Sequence, residues 1–179
     1  MFDTFFGLPL HPFIVHATEI IVPLAALLVV LTAVWPRSRR WAGYLPLGVS
    51  LVALVLVPIS TQSGERLEER VGENDLIETH AALADGLLPW MIGLVVVAGA
   101  LLWWNLREKR ARLAGSDEAD ASGAARPRPR WVPIVLIVLA LVVAGGTTVQ
   151  AVLIGHSGAT AVWTEDMGTP APARGDESD

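Results

Sequence analysis

HPFIVHATEIIVPLAALLVVLTAVW, residues 11–35, is the stretch that decides the fold. From Phe13 to Trp35 it holds a single carboxylate, Glu19, in an otherwise apolar run. A helix that crosses the hydrocarbon of a bilayer needs roughly 20 mostly apolar residues, and this run supplies them. Three further runs of the same kind follow, at about Tyr44–Ser60, Ala81–Trp104 and Trp131–Ile154. In hydrocarbon every backbone polar group must be bonded internally, so each run is read as a helix and not as a loop. Their continuity, without alternation, argues against a transmembrane barrel. Hydrophobic residues make up 53% of the chain, too many for an ordinary soluble domain. The expected fold is all-α and integral to the membrane. Four transmembrane helices joined by mostly short connections favour an up-down-up-down bundle.

Charge sets the expected orientation. The loop after the first span carries Arg37, Arg39 and Arg40 with no acid, and the loop after the third carries Arg107, Lys109, Arg110, Arg112, Arg126, Arg128 and Arg130. Together they hold ten of the 13 basic residues. The loop after the second span is acidic, with Glu65, Glu68, Glu69, Glu73, Asp75 and Glu78 against Arg66 and Arg70. By the positive-inside rule both basic loops are cytoplasmic and both termini extracytoplasmic. Trp35, Trp41, Trp103, Trp104 and Trp131 then form the belt expected at the cytoplasmic boundary. The expected location is the cell's inner (plasma) membrane, multi-pass. The first span lacks the basic flank and cleavage site of a removable signal peptide.

The expected organisation is a transmembrane domain over residues 1–163, with spans at about 13–35, 44–60, 81–104 and 131–154. A cytoplasmic linker occupies 105–130, flexible where it becomes rich in Ala, Ser, Gly and Pro. A disordered acidic tail occupies 164–179. Residues 61–80 carry Leu67, Val71, Leu76 and Ile77 among acids, a pattern that fits a short surface helix lying on the bundle.

This topology brings all four histidines to one end. His11 and His16 open the first span, His80 opens the third and His156 closes the fourth. Histidine is the commonest metal ligand and titrates near neutral pH. The same half of the bundle holds Glu19, Asp85, Thr147, Thr148 and Gln150. An intramembrane carboxylate is costly and by default faces a partner or a functional interior.

Three chemistries fit. Haem b takes two axial imidazoles from facing helices, with His16, His80 and His156 as candidate ligands. Copper or zinc would draw on His11, His16, His80 and His156, with Glu19, Asp85 and Gln150 orienting the ligands. A proton or ion path would use Glu19, Asp85 and a histidine with no metal at all. For His11 the plain alternative is a residue at a helix start. For His16 it is a hydrogen-bonded partner of Glu19, for His80 a helix-start residue, and for His156 a helix-end residue.

The leading expectation is a small membrane protein that binds haem b or another metal near the extracytoplasmic surface, for electron transfer. His16, His80 and His156 lie inside the site and His11 at its rim. The alternative is a non-catalytic subunit with structural histidines and no cofactor. Its partners are the lipid bilayer and a redox or membrane protein, or a second copy of the chain; basic loops explained by topology imply no nucleic acid. There are no cysteines, which excludes thiolate zinc sites and c-type haem attachment. No nucleophile elbow, Walker loop or zinc-protease motif is present, so no enzyme class is assigned.

LPLHPFIVHA (residues 8–17), ETHAALAD (residues 78–85) and GHSGATAVW (residues 155–163), in this order, resemble one bacterial membrane-protein family, the domain of unknown function 2231. The matching positions are His11, Pro12, His16, His80, Gly155 and His156. The resemblance covers about residues 8–163 and implies a four-span membrane domain without an assigned activity. The chain departs from the family pattern at Glu19, where that pattern is apolar.

Overall fold

The computed structural model describes residues 4–5, 8–71, 75–117 and 131–166. Two-residue strands β1 (Thr4–Phe5) and β2 (Leu8–Pro9) pair antiparallel, Thr4 opposite Pro9. The helices are α1 (His11–Val34), α2 (Ser38–Ala42), α3 (Leu45–Val71), α4 (Asp75–Asp85), α5 (Leu87–Asp117) and α6 (Trp131–Asp166). Four stretches are long and apolar enough to cross a membrane: His11–Val34, Leu45–Glu69, Asp75–Leu113 and Trp131–Ala161. The third combines α4 and α5. Helix α1 packs on α3 and α6, and α5 packs on the same two. The spans therefore follow one another around a ring, each beside antiparallel neighbours, with the first and third on one diagonal.

Several elements outrun their expected limits. Helix α3 continues to Val71, so residues 61–71 prolong the second span, and residues 75–80 of the expected surface helix instead open α4, which packs on α6. Glu65, Arg66, Leu67, Glu68 and Glu69 are good helix formers, and nothing there interrupts the ladder. Helix α5 reaches Asp117, so the first half of the expected linker is helix. There the Trp104 indole N–H donates to Glu108 Oε1 at 3.0 Å. Arg112 Nη2 lies 3.8 Å from Glu108 Oε2, and the Arg107 guanidinium sits 5.4 Å over the Trp103 ring. The rest of the linker, 118–130, and the expected tail from 167 onward lie outside the described residues.

The termination of α1 is written in the sequence. Pro36 disfavours helical geometry at the residue before it, and Trp35 is extended, with φ −108° and ψ 107°. The last carbonyls of a helix then need partners. Ser38 Oγ lies 2.7 Å from the Leu31 carbonyl and 2.6 Å from that of Trp35. Arg39 Nε donates to Thr32 O at 2.8 Å, and its Nη2 donates to Ala33 O at 2.6 Å. A cation here also opposes the negative end of the helix dipole. Asn105 Nδ2 donates to the Arg39 carbonyl at 2.9 Å, tying α5 to this turn. Gly43, at φ 50°, reverses the chain into α3.

The third span breaks at Gly86, between α4 and α5. Pro89 has no N–H to give to Asp85, which removes a ladder bond there. The Leu83 carbonyl, beside the break, receives Gln150 Nε2–H from α6 at 2.6 Å. A Cβ on Gly86 would stand 2.7 Å from that nitrogen, so a larger residue there would push the glutamine amide aside.

Small residues line the bundle centre. Ala25, Val29 and Ala33 of α1, Ala53 of α3, Met91 and Leu94 of α5 and Ala140 of α6 are fully buried. Small side chains let helices approach closely where hydrophobicity alone does not drive them together. The tightest approach is Gly146 under Trp90, where the indole occupies the place a Cβ would take. Within the spans the buried hydroxyls of Ser50, Thr32 and Thr147 are satisfied by their own helices, on Pro46 O, Leu28 O and Val143 O. Among the described residues no buried side-chain nitrogen or oxygen lacks a partner.

Gly146→Ala should lower stability by about 1–3 kcal/mol, the usual cost of overpacking, read as a lower thermal midpoint in detergent. Arg39→Ala should cost about 1 kcal/mol by orphaning the Thr32 and Ala33 carbonyls. Arg39→Lys should restore only part of it, because a single ammonium does not reproduce the two-pronged bond. The same melting measurement distinguishes the three proteins.

Candidate functional site at the histidine end

Depth along each span follows from helix length. Roughly 20 residues cross the hydrocarbon. Counted from Trp35 back along α1 they end at His16, and from Leu45 along α3 they end at Gly64. From Trp104 back through α5 they end at Asp85, and from Trp131 along α6 at Gln150. By this count the four positions fall near the histidine-side limit of the apolar layer. Trp35, Trp41, Trp103 and Trp131 are exposed at the opposite end.

At this edge the structure sorts the histidines into two classes. His11 and His80 are half-buried, whereas His16 and His156 are exposed. His11 Nδ1 lies 2.9 Å from Ser63 Oγ of α3. His80 Nδ1 lies 2.9 Å from Ser157 Oγ of α6. The two rings stand on diagonal spans at the same end of the bundle. His16 instead turns back along its own helix and donates from Nδ1 to the Pro12 carbonyl at 2.6 Å.

This placement differs from the expected one, which put His16, His80 and His156 inside and His11 at the rim. The reason is helical geometry. Successive residues turn by about 100°, so His11 and His16, five apart, point about 140° away from each other and cannot both face the axis. His156 is next to Ser157, and because Ser157 faces His80, His156 is turned aside. The same spacing separates His80 from Asp85, which is exposed.

The carboxylates also face outward. Glu19 is exposed on α1 and rests against α6, its Oε1 3.1 Å from where a Cβ of Gly155 would lie. Side chains lean toward the N-terminus of their helix, which carries this carboxylate up toward Gly155. Gln150 is engaged with the Leu83 carbonyl, and Thr147 and Thr148 bond carbonyls of their own helix. Among the described residues no group of three or more His, Asp or Glu side chains converges as a metal site. What the structure holds is two imidazoles at one end of the bundle, each anchored by a serine of the neighbouring span.

Those serines were not singled out as partners by sequence reasoning. Their signal is a dipeptide: Ser63–Gly64 follows the second apolar run and Ser157–Gly158 follows the fourth. In each case the serine hydroxyl also bonds the carbonyl three residues earlier, Ser60 at 2.8 Å and Ile154 at 2.9 Å.

The family described as Predicted membrane protein (DUF2231) matches the chain over residues 7–171. No curated protein and no solved structure matches it.

Proposed function

The chain belongs to the DUF2231 family of predicted membrane proteins, and from that premise we propose that it binds a transition metal at its histidine end, as haem b iron ahead of bare copper or zinc, for one-electron transfer. The observation that carries this reading is the pair His11 and His80, half-buried on diagonal spans, each with one ring nitrogen already bonded to a serine. A ligating histidine commonly uses its second nitrogen in this way, which orients the ring and raises its basicity.

The donor count favours haem. Zinc in protein sites takes three or four protein ligands. Haem iron has four nitrogens from the macrocycle and asks the protein for two at most. His11 and His80 are two. On the charge rule this end is extracytoplasmic. All four histidines stand at this end, so the reading supplies one centre near one surface and no relay across the membrane. On this reading His16 and His156, exposed at the same end, offer polar groups to a redox partner.

A second reading has its own support. Each imidazole already makes an interhelical hydrogen bond, and such bonds by themselves hold membrane helices together, at about 0.6 kcal/mol on average. In that case the protein is a non-catalytic subunit and the histidines are structural.

The absorption spectrum and metal content of the detergent-purified protein separate the two. Haem binding should give a Soret band that is lost in His11→Ala and in His80→Ala and retained in His16→Ala and His156→Ala. A colourless protein that takes up neither haemin nor copper nor zinc would overturn the metal reading and leave the structural one.

A further inference from the structure

The two histidine–serine contacts are copies of one arrangement. In the first and second spans, His11 Nδ1 meets Ser63 Oγ at 2.9 Å, and Ser63 Oγ donates to Ser60 O at 2.8 Å. In the third and fourth, His80 Nδ1 meets Ser157 Oγ at 2.9 Å, and Ser157 Oγ donates to Ile154 O at 2.9 Å. Glycine follows each serine. A Cβ on Gly64 would stand 3.1 Å from His11 Cε1, and a Cβ on Gly158 would stand 3.1 Å from His80 Cε1. Because the spans follow in order around the ring, a half-turn about the bundle axis exchanges the first with the third and the second with the fourth. His11–Ser63–Gly64 and His80–Ser157–Gly158 are mates under that half-turn.

Which ring nitrogen carries the proton depends on where the serine proton goes. A serine hydroxyl has one proton and two lone pairs. A carbonyl of the serine's own helix, 2.8 or 2.9 Å away, can only accept, so with the proton directed there the hydroxyl accepts from the imidazole. Nδ1 is then the N–H of the neutral ring, and Nε2 carries the lone pair. The same logic holds at both positions.

We propose that the histidine end is a duplicated imidazole seat with pseudo-two-fold symmetry: Ser63 and Ser157 hold His11 and His80 as Nδ1–H tautomers, Gly64 and Gly158 make room for the rings, and two equivalent Nε2 lone pairs are left for one metal centre. Only the last clause rests on the metal-binding reading above; the seat itself is a property of the metal-free chain. Ser63 and Ser157 are positioning residues that act through the imidazoles. The ligand class is a metal that accepts two equal neutral nitrogen donors, haem iron being the form that asks the protein for no third.

Two measurements on the full-length chain in detergent test this. The first is nitrogen NMR of the metal-free protein with ¹⁵N-labelled histidine, resonances assigned by single His→Asn substitutions. His11 and His80 should both be Nδ1–H tautomers. Ser63→Ala should return His11, and Ser157→Ala should return His80, toward the Nε2–H form that free imidazole side chains prefer. Finding either ring as Nε2–H in the unaltered protein overturns the proposal. The second is titration with haemin, and separately with zinc. Each serine-to-alanine change should weaken binding by about 10–100-fold and by similar factors at the two sites, and Ser→Thr, which keeps the hydroxyl, should restore it. A loss confined to one serine overturns the symmetry. Expected tautomers in a chain that takes up neither probe leave the seat standing and overturn the metal reading.

Discussion

Inside hydrocarbon a peptide group has no water to bond, and the architecture follows from that shortage. Each unsatisfied backbone group costs several kcal/mol there, so the chain crosses as helix and must mend every place where the helix is interrupted. At Pro36 the mending is done by Ser38 and Arg39, which bond the last carbonyls of α1. At the α4–α5 break a glutamine from the neighbouring span takes up the Leu83 carbonyl. Within the spans, buried Thr32, Ser50 and Thr147 keep their hydroxyls on their own helices and ask nothing of their neighbours.

Meeting that demand locally leaves helix packing to shape. The surfaces that meet are small, with alanines at the centre and glycines where a large or polar side chain must cross to the next helix. The glycines at 64, 86, 146, 155 and 158 lie against His11, Gln150, Trp90, Glu19 and His80 in turn. Four of these five partners are polar, and all four stand at or near the outer level of the apolar layer. Close approach and polarity therefore coincide at the histidine end. The tryptophan end is held instead by the capped turn after α1 and by side chains along α5.

The pairing at the histidine end has a physical consequence for any ligand. Two imidazoles on one diagonal, each anchored to the next span around the ring, are fixed by all four spans at once. A change in the packing of either half would move one ring against the other. His16 and His156 are exposed and take no part in this coupling.

The sequence by itself determined the four spans, because length and apolarity against the thickness of hydrocarbon admit no other reading. It also determined that polarity collects at one end, since helices that alternate in direction bring His11, His80 and His156 together whatever their rotation. It did not determine how far each helix runs beyond the lipid, because in water good helix formers such as Glu68 and Arg110 extend a span without any apolar signal. The inward faces were decided only in three dimensions. A spanning helix is apolar all round, as exposed Ile20, Val55, Val96 and Val152 show, so hydrophobic periodicity carries no signal for which side faces a neighbour. Rotation was set by where small residues allow contact, and that rotation turned His11 toward Ser63 and His80 toward Ser157 while leaving His16 and His156 exposed.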